Sequence, residues 1–161
     1  MFRSTKRTAI ALCLSAAHAG GFGTTFANDF LKLLLQATAI ANIADNAATS
    51  PLTNLYLSLH TASPSGSGQT TSEAAYTSYA RVAVARTSSG FDVSTNTANL
   101  HSLTSFPAAT GGSETETHFG LGTASSGTGK LLVWGTVTPN IVVSNGVTPQ
   151  ITTATFLTLG T

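Results

Sequence analysis

The stretch LTNLYLSLH, residues 52–60, decides the fold class. Leu55, Leu57 and Leu59 fall on every second position, with Tyr56, Ser58 and His60 between them. Successive side chains of a strand point to opposite faces, so this alternation sets three leucines against a core. The expectation is a half-buried strand. Downstream, the same period returns in short pieces separated by turn residues. Strands are expected over 79–87 (Val82 and Val84 on one face), 91–94, 100–106, 115–123, 130–137, 141–143 and 150–159. Between them, 61–72 (TASPSGSGQTTS) reads as a flexible loop, 107–113 as a turn and 124–129 as a tight Gly/Ser loop. Pro139-Asn140 reads as a break, and Asn145-Gly146 is a hairpin-type turn signal. Seven or eight short strands with regular turns predict a mainly β protein, an antiparallel β-sandwich or jelly roll.

Upstream of residue 52 the period changes. Leu31, Leu34, Leu35 and Thr38 recur at helical spacing, widened by Phe30 and Leu33, which predicts one helix over 26–44. Thr25 or Asn28 suits its cap, and Asp29 suits the positive end of its dipole. Before it, Gly20-Gly21-Phe22-Gly23 breaks any earlier helix. The expected organisation is an extended N-terminal arm (1–25), a helix with its connecting loop (26–50) and a β-sandwich domain (51–161). Residues 1–7 are basic, 8–17 mildly apolar, and Ala17-His18-Ala19 resembles a signal cleavage site. Thr8 and Ser15 dilute the apolar run, and the reading taken is an arm.

Composition narrows the function classes. Only 8% of the 161 residues are charged, against about 25% in an ordinary soluble domain. Such a surface repels its own copies weakly, which suits a subunit of an assembly. A net charge of +1 gives no basic field for nucleic acid. The lone Cys13 excludes an intrachain disulfide and a cysteine-based zinc site. No apolar run is long enough to predict a membrane-spanning helix.

Candidate chemistry is sparse. His18, His60, His101 and His118 show no metal-ligand spacing. Residues 122–131 (GTASSGTGKL) imitate a phosphate loop. Ala124 stands where its first glycine belongs, Leu131 replaces its Ser/Thr, and a strand follows. A Ser-His-acid triad lacks the G-x-S-x-G elbow. Glu114 and Glu116 would share one strand face, expected to be a solvated edge. No enzyme activity and no cofactor is expected. Trp134 is expected in the core. Arg81, after Tyr76 and Tyr79, suits either an intersubunit salt bridge or cation–π contact, or packing on its own tyrosines. Arg3, Lys6, Arg7 and Phe22 in the arm, together with Arg81, are the candidate interaction residues.

From residue 55 the motifs form an ordered series: LYLSLHTASP, a Gly-rich loop followed by Glu73, SYARVAV, FPAATGG, THFGL and GKLLVWG. This series resembles a family of small tailed-phage virion structural proteins, variously labelled capsid cement or tail fibre proteins. FANDFLKLLLQATAI is similar to that family's leading helix, so the resemblance covers about 26–159. It implies a structural role with no catalytic or metal residue. Leu55, Leu57 and Leu59 would fill a core face, Pro64 and Gly66 shape a loop, and Gly120, Gly122 and Gly135 permit close backbone approach. The leading expectation is a trimeric head cement protein that binds the major capsid protein and its own copies. Arg3, Lys6 and Arg7 would meet acidic shell patches. A tail or fibre component is the alternative, with 61–72 or 107–114 touching a host surface. A secreted carbohydrate-binding domain beginning near Gly20 is a further one.

Overall fold

The computed structural model describes residues 24–39, 52–64, 68–154 and 157–159. Arg3, Lys6, Arg7, Phe22 and Gly66 lie outside them. The described residues are mainly β, with antiparallel sheets and one N-terminal helix in a sandwich-like arrangement.

The helix α1 spans Thr24–Gln36. Leu31 and Leu35, one turn apart, are fully buried. The helix ends earlier than its apolar pattern. Ala37 adopts a left-handed backbone with φ 55°, and Thr38 N–H returns to the Lys32 carbonyl at 3.2 Å. Thr38 is therefore exposed and not part of the apolar stripe. Because the helix begins at Thr24, Asn28 lies inside it. Its side-chain oxygen accepts from the Asn96 backbone N–H rather than capping the helix.

The first strand, β1 (Asn54–His60), matches the alternation of residues 55–60. Leu55, Leu57 and Leu59 are at most 1% exposed. It pairs with β2 (Val82–Ala85) on one side and β6 (Glu114–Gly122) on the other, and β6 pairs with β7 (Leu131–Val143). The order β2-β1-β6-β7 makes one four-stranded sheet. In register, Leu57 faces Leu121 and Leu59 faces Phe119, so one sheet face is continuously apolar. A second sheet joins β3 (Phe91–Ser94), β4 (Thr97–Leu100) and β9 (Leu157–Thr158). β5 (Thr104–Ser105) pairs with β8 (Gln150–Ile151). Phe91, Leu100, Phe106 and Val143 join the β1 leucines and the two helix leucines in one core. Each such buried side chain contributes about 1.5–3 kcal/mol.

Several elements differ from expectation. Strand β2 is shorter than 79–87, because Ser78 has φ 81° and Tyr79 N–H turns back to the Tyr76 carbonyl at 3.0 Å. The expected strand over 100–106 resolves into the end of β4 and the short β5. The expected strand over 150–159 is two short pieces, β8 and β9, in different sheets. Residues 131–143 form one strand, not two. Between Glu116↔Ile141 and His118↔Thr136 the register slips, so 137–140 bulge from the ladder. Pro139, which cannot donate a ladder bond, sits in that bulge. Gly146, with φ 88°, forms the turn that Asn145-Gly146 announced.

Candidate functional site

The outer face of β1 was expected to be half-exposed, but Ser58 and His60 are fully buried. The loop after β1 folds back over them. Thr61 N–H bonds the Ser72 carbonyl at 2.9 Å, and Ala74 N–H bonds the Leu59 carbonyl at 2.9 Å. Gln69, within the predicted flexible loop, is fully buried. Its side-chain oxygen accepts from Ala124 N–H at 2.9 Å. A Cβ on Gly122 would lie 2.1 Å from Gln69 Cδ, and one on Gly120 would lie 2.7 Å from His60 Nε2. These glycines are thus the close approaches their motif implies, as is Gly135 beneath Phe119.

Arg81 centres this layer. Its Nε donates to Glu73 Oε1 at 2.6 Å and its Nη2 to Glu73 Oε2 at 2.7 Å, a bidentate pair. Nη1 donates to the Ala124 carbonyl at 2.8 Å, and Nη2 also to the Gly127 carbonyl at 2.9 Å. Tyr79 Oη donates to Glu73 Oε1 at 3.0 Å and accepts from Leu59 N–H at 3.2 Å. The Arg81 side chain is 1% exposed. Of the readings of Arg81, an intersubunit salt bridge or cation–π contact and packing within its own chain, the geometry fits the last, because its guanidinium is engaged by Glu73 and two loop carbonyls of the same chain. The four bonds clamp the hairpin loop between β6 and β7 onto the segment after β1. That loop is the one whose sequence imitates a phosphate loop. Its carbonyls point inward at a cation, where a phosphate cradle needs N–H groups.

Ser58 and His60 have the look of a nucleophile and its base. Ser58 Oγ lies 2.8 Å from His60 Nε2, and His60 Nδ1 donates to the Thr71 carbonyl at 2.9 Å. Burial holds the imidazole below its ordinary pKa, so it is neutral and Nε2 accepts the Ser58 proton. Both residues are sealed beneath the Gln69 loop. His118 faces His60 across the ladder, but its Nδ1 donates to Thr117 Oγ1 at 2.8 Å. Among the described residues no group of three His, Cys, Asp or Glu side chains could hold a metal.

The Glu114–Glu116 pair is not a solvated edge. Glu114 Oε1 accepts from the N–H groups of Ala75 and Tyr76 at 2.9 and 2.8 Å. Glu116 is fully buried, and both its oxygens are without a hydrogen-bond partner. Burial first, and Glu114 second, push its carboxyl up to about 8, so it is mostly protonated at neutral pH.

Trp134, expected in the core, is 44% exposed. It lines an apolar groove with Leu132, Val133, Phe30, Leu34 and Leu157. A second hollow, under the β7 bulge, is lined by residues such as Phe119, Pro139, Ile141 and Ile151 and carries no ionisable side chain. Sequence reasoning missed Gln69, Glu73 and the groove. Glu73 and Arg81 are the only charges between His60 and Arg86, and in so uncharged a chain that scarcity was the available signal.

No curated protein matches the sequence. Residues 21–158 match the family described as podophage GP4 fiber I protein gp80. Because that match takes in all three sheets, the clamped loops and α1, the chain belongs to the podophage GP4 fiber I protein gp80 family, a family of phage virion structural proteins.

Proposed function

We propose that this chain is a non-enzymatic building unit of a phage fibre, acting through contacts with its own copies and with other virion proteins. The observation that carries the reading is the family match over residues 21–158, whose description is a fibre protein. The structure supports it in two ways. Among the described residues, Glu73, Arg81, Arg86, Glu114 and Glu116 are engaged or buried within the chain, which leaves a weakly repelling surface suited to close packing of copies. Its loops are clamped by side-chain bonds, which suits a unit that bears load.

Head decoration, with the major capsid protein as partner, is the second reading. It is favoured by the basic cluster Arg3, Lys6 and Arg7 before the matched region. Copy number per virion separates the two. Quantitative mass spectrometry of purified particles, with gold-labelled antibody to locate the chain, should give a few to a few dozen copies on tail-associated projections. Hundreds of copies over the head would instead establish decoration. No copies at all would sink both and return attention to a secreted β-domain.

A further inference from the structure

Asn145-Gly146 is the single Asn-Gly dipeptide of the chain, and it lies in the turn between β7 and β8. Asn145 is exposed, and among the described residues its side-chain amide has no hydrogen-bond partner. Gly146, with φ 88°, has nothing within 4 Å of where a Cβ would stand. Glycine after asparagine leaves the next backbone nitrogen unhindered, so that nitrogen can attack the side-chain amide. In this fold the nitrogen is held. Gly146 N–H donates to the Ala109 carbonyl at 2.7 Å, and Ala109 N–H donates to the Val147 carbonyl at 2.9 Å. Val147 N–H closes the turn on the Ser144 carbonyl at 3.0 Å. Ala109 is buried, and its own segment is anchored in turn. Thr110 N–H donates to the Thr77 carbonyl at 3.1 Å, and Thr77 N–H to the Gly111 carbonyl at 3.0 Å.

We infer that Asn145 is a site of covalent modification, deamidation through a succinimide, which the fold keeps latent through Ala109. In the reaction the Gly146 nitrogen loses its proton and bonds to Asn145 Cγ. The bond from Cγ to Nδ2 breaks, and ammonia leaves with a proton in place of the one lost. Water then opens the ring at either carbonyl and leaves aspartate or isoaspartate at position 145, so water is the only reagent consumed. Two features block the first bond. The Ala109 carbonyl stabilises the Gly146 N–H against losing its proton. Ring closure also turns the peptide between 145 and 146, which pulls that N–H off Ala109 and strains the reciprocal bond to Val147. The closed turn is therefore unreactive, and the locally opened turn reacts. The change runs one way. Isoaspartate lengthens the backbone by a methylene, so the two bonds to Ala109 no longer fall in register. Either product sets a carboxylate in a region, residues 131–161, that has no Asp, Glu, Lys or Arg. A turn that opens long enough to react is thus marked permanently by a new negative charge.

The test follows position 145 of the purified full chain by peptide mapping and mass spectrometry, in oxygen-labelled water at neutral pH. One sample is native and a parallel one is unfolded in guanidinium chloride. The unfolded chain should accumulate labelled aspartate and isoaspartate at 145, and the native chain should convert at least about tenfold more slowly. Equal rates would overturn the inference, and so would an unfolded chain that leaves Asn145 intact. Ala109→Pro removes the N–H that Ala109 gives to Val147. With circular dichroism unchanged, that variant should convert faster than the native chain. A folded Ala109→Pro that converts as slowly as the native chain would show that Ala109 is not the guard, and would overturn the inference. Amide exchange at Gly146 gives the same reading without a variant, should the proline prevent folding. Denaturant below the unfolding transition should speed exchange and conversion by the same factor. Conversion that does not follow exchange would overturn the inference.

Discussion

Glu73 and Arg81 show what a single pair does in a chain with so few charges. Arg81 satisfies both carboxylate oxygens and two loop carbonyls from a position 1% exposed. Removing one partner of such a pair leaves a buried charge unsatisfied, which costs about 3–5 kcal/mol. Arg81→Ala should therefore lose most of the domain's stability in urea unfolding. Arg81→Lys should recover little, since an ammonium cannot reproduce the fork. A loss in Arg81→Ala below about 1 kcal/mol, the scale of an exposed pair, would show that the clamp is not closed. Glu116 yields a pH signature. Its folded carboxyl is raised from an ordinary 4.5 to about 8, so the folded state keeps a proton that the unfolded chain releases. Stability from this source is complete below pH 4.5, falls as pH rises, and is flat above about 8. The span is on the order of a few kcal/mol. His60, lowered by burial, slopes the other way as pH falls below 6.5. The diagnostic is therefore the difference between the native chain and Glu116→Gln, whose unfolding free energy should lack the decline between pH 4.5 and 8. Neither residue's role was legible from the chain. Glu73 sat beside a stretch whose composition read as a flexible loop, and Glu116 sat beside Gly-Gly-Ser, which read as solvent. Both readings failed because the loop after β1 and the turn at 75–77 fold over them, an event decided by tertiary contacts.

At the scale of elements, α1 has no basic residue in its last turn, and the cation comes from the far end of β2. Arg86 Nε donates to the Leu34 carbonyl at 2.6 Å and Nη2 to the Leu33 carbonyl. Carbonyls at a helix C-terminus have no partner within the helix, and a cation there also opposes the dipole. The bond ties the helix to the main sheet as well as ending it. Arg86→Ala should cost about 1–3 kcal/mol. It should also speed amide hydrogen exchange in Leu33–Gln36 more than in β1, as read by mass spectrometry. Uniform acceleration across the domain would mean that Arg86 acts on global stability alone. The elements themselves were largely legible where one face meets the core. Strand β1, strand β3, the 114–122 strand and the helix centre at Leu31 and Leu35 follow directly from periodicity. The ends were not. The apolar and Ala-rich run beyond Gln36 continues the helical pattern, but Ala37 and the reach of Arg86 stop it. Pro139 reads as a strand end in one dimension, yet a bulge absorbs it in two.

Across the whole molecule, the described charged residues are mostly consumed by the fold. Glu73 pairs with Arg81, Arg86 closes α1, Glu114 binds two N–H groups and Glu116 is buried. Asp92 and Lys130 are exposed, and Asp29 and Lys32 partly so. The described residues thus leave few charges on their exterior. The contacts between copies proposed above would then rest on apolar and neutral polar surface. Exposed Val142, Leu103 and Leu52 are available for such contacts. Ionic association weakens as the Debye length falls from about 10 Å at 0.1 M salt to about 3 Å at 1 M. Apolar association does not, and excluded salts such as sulfate strengthen it. Sedimentation velocity of the full chain should therefore show self-association unchanged or tighter between about 0.1 and 1 M sodium chloride, and tighter again in sulfate. The same titration with the virion partner tests the basic cluster of Arg3, Lys6 and Arg7. Loss of that heterologous contact in salt, with self-association intact, would divide the chain into an ionic leader and a neutral packing domain. Tenfold weaker self-association at high salt would place the dominant contacts on the few exposed charges and overturn the account of the surface given by the inward pairing of Glu73, Arg81 and Arg86.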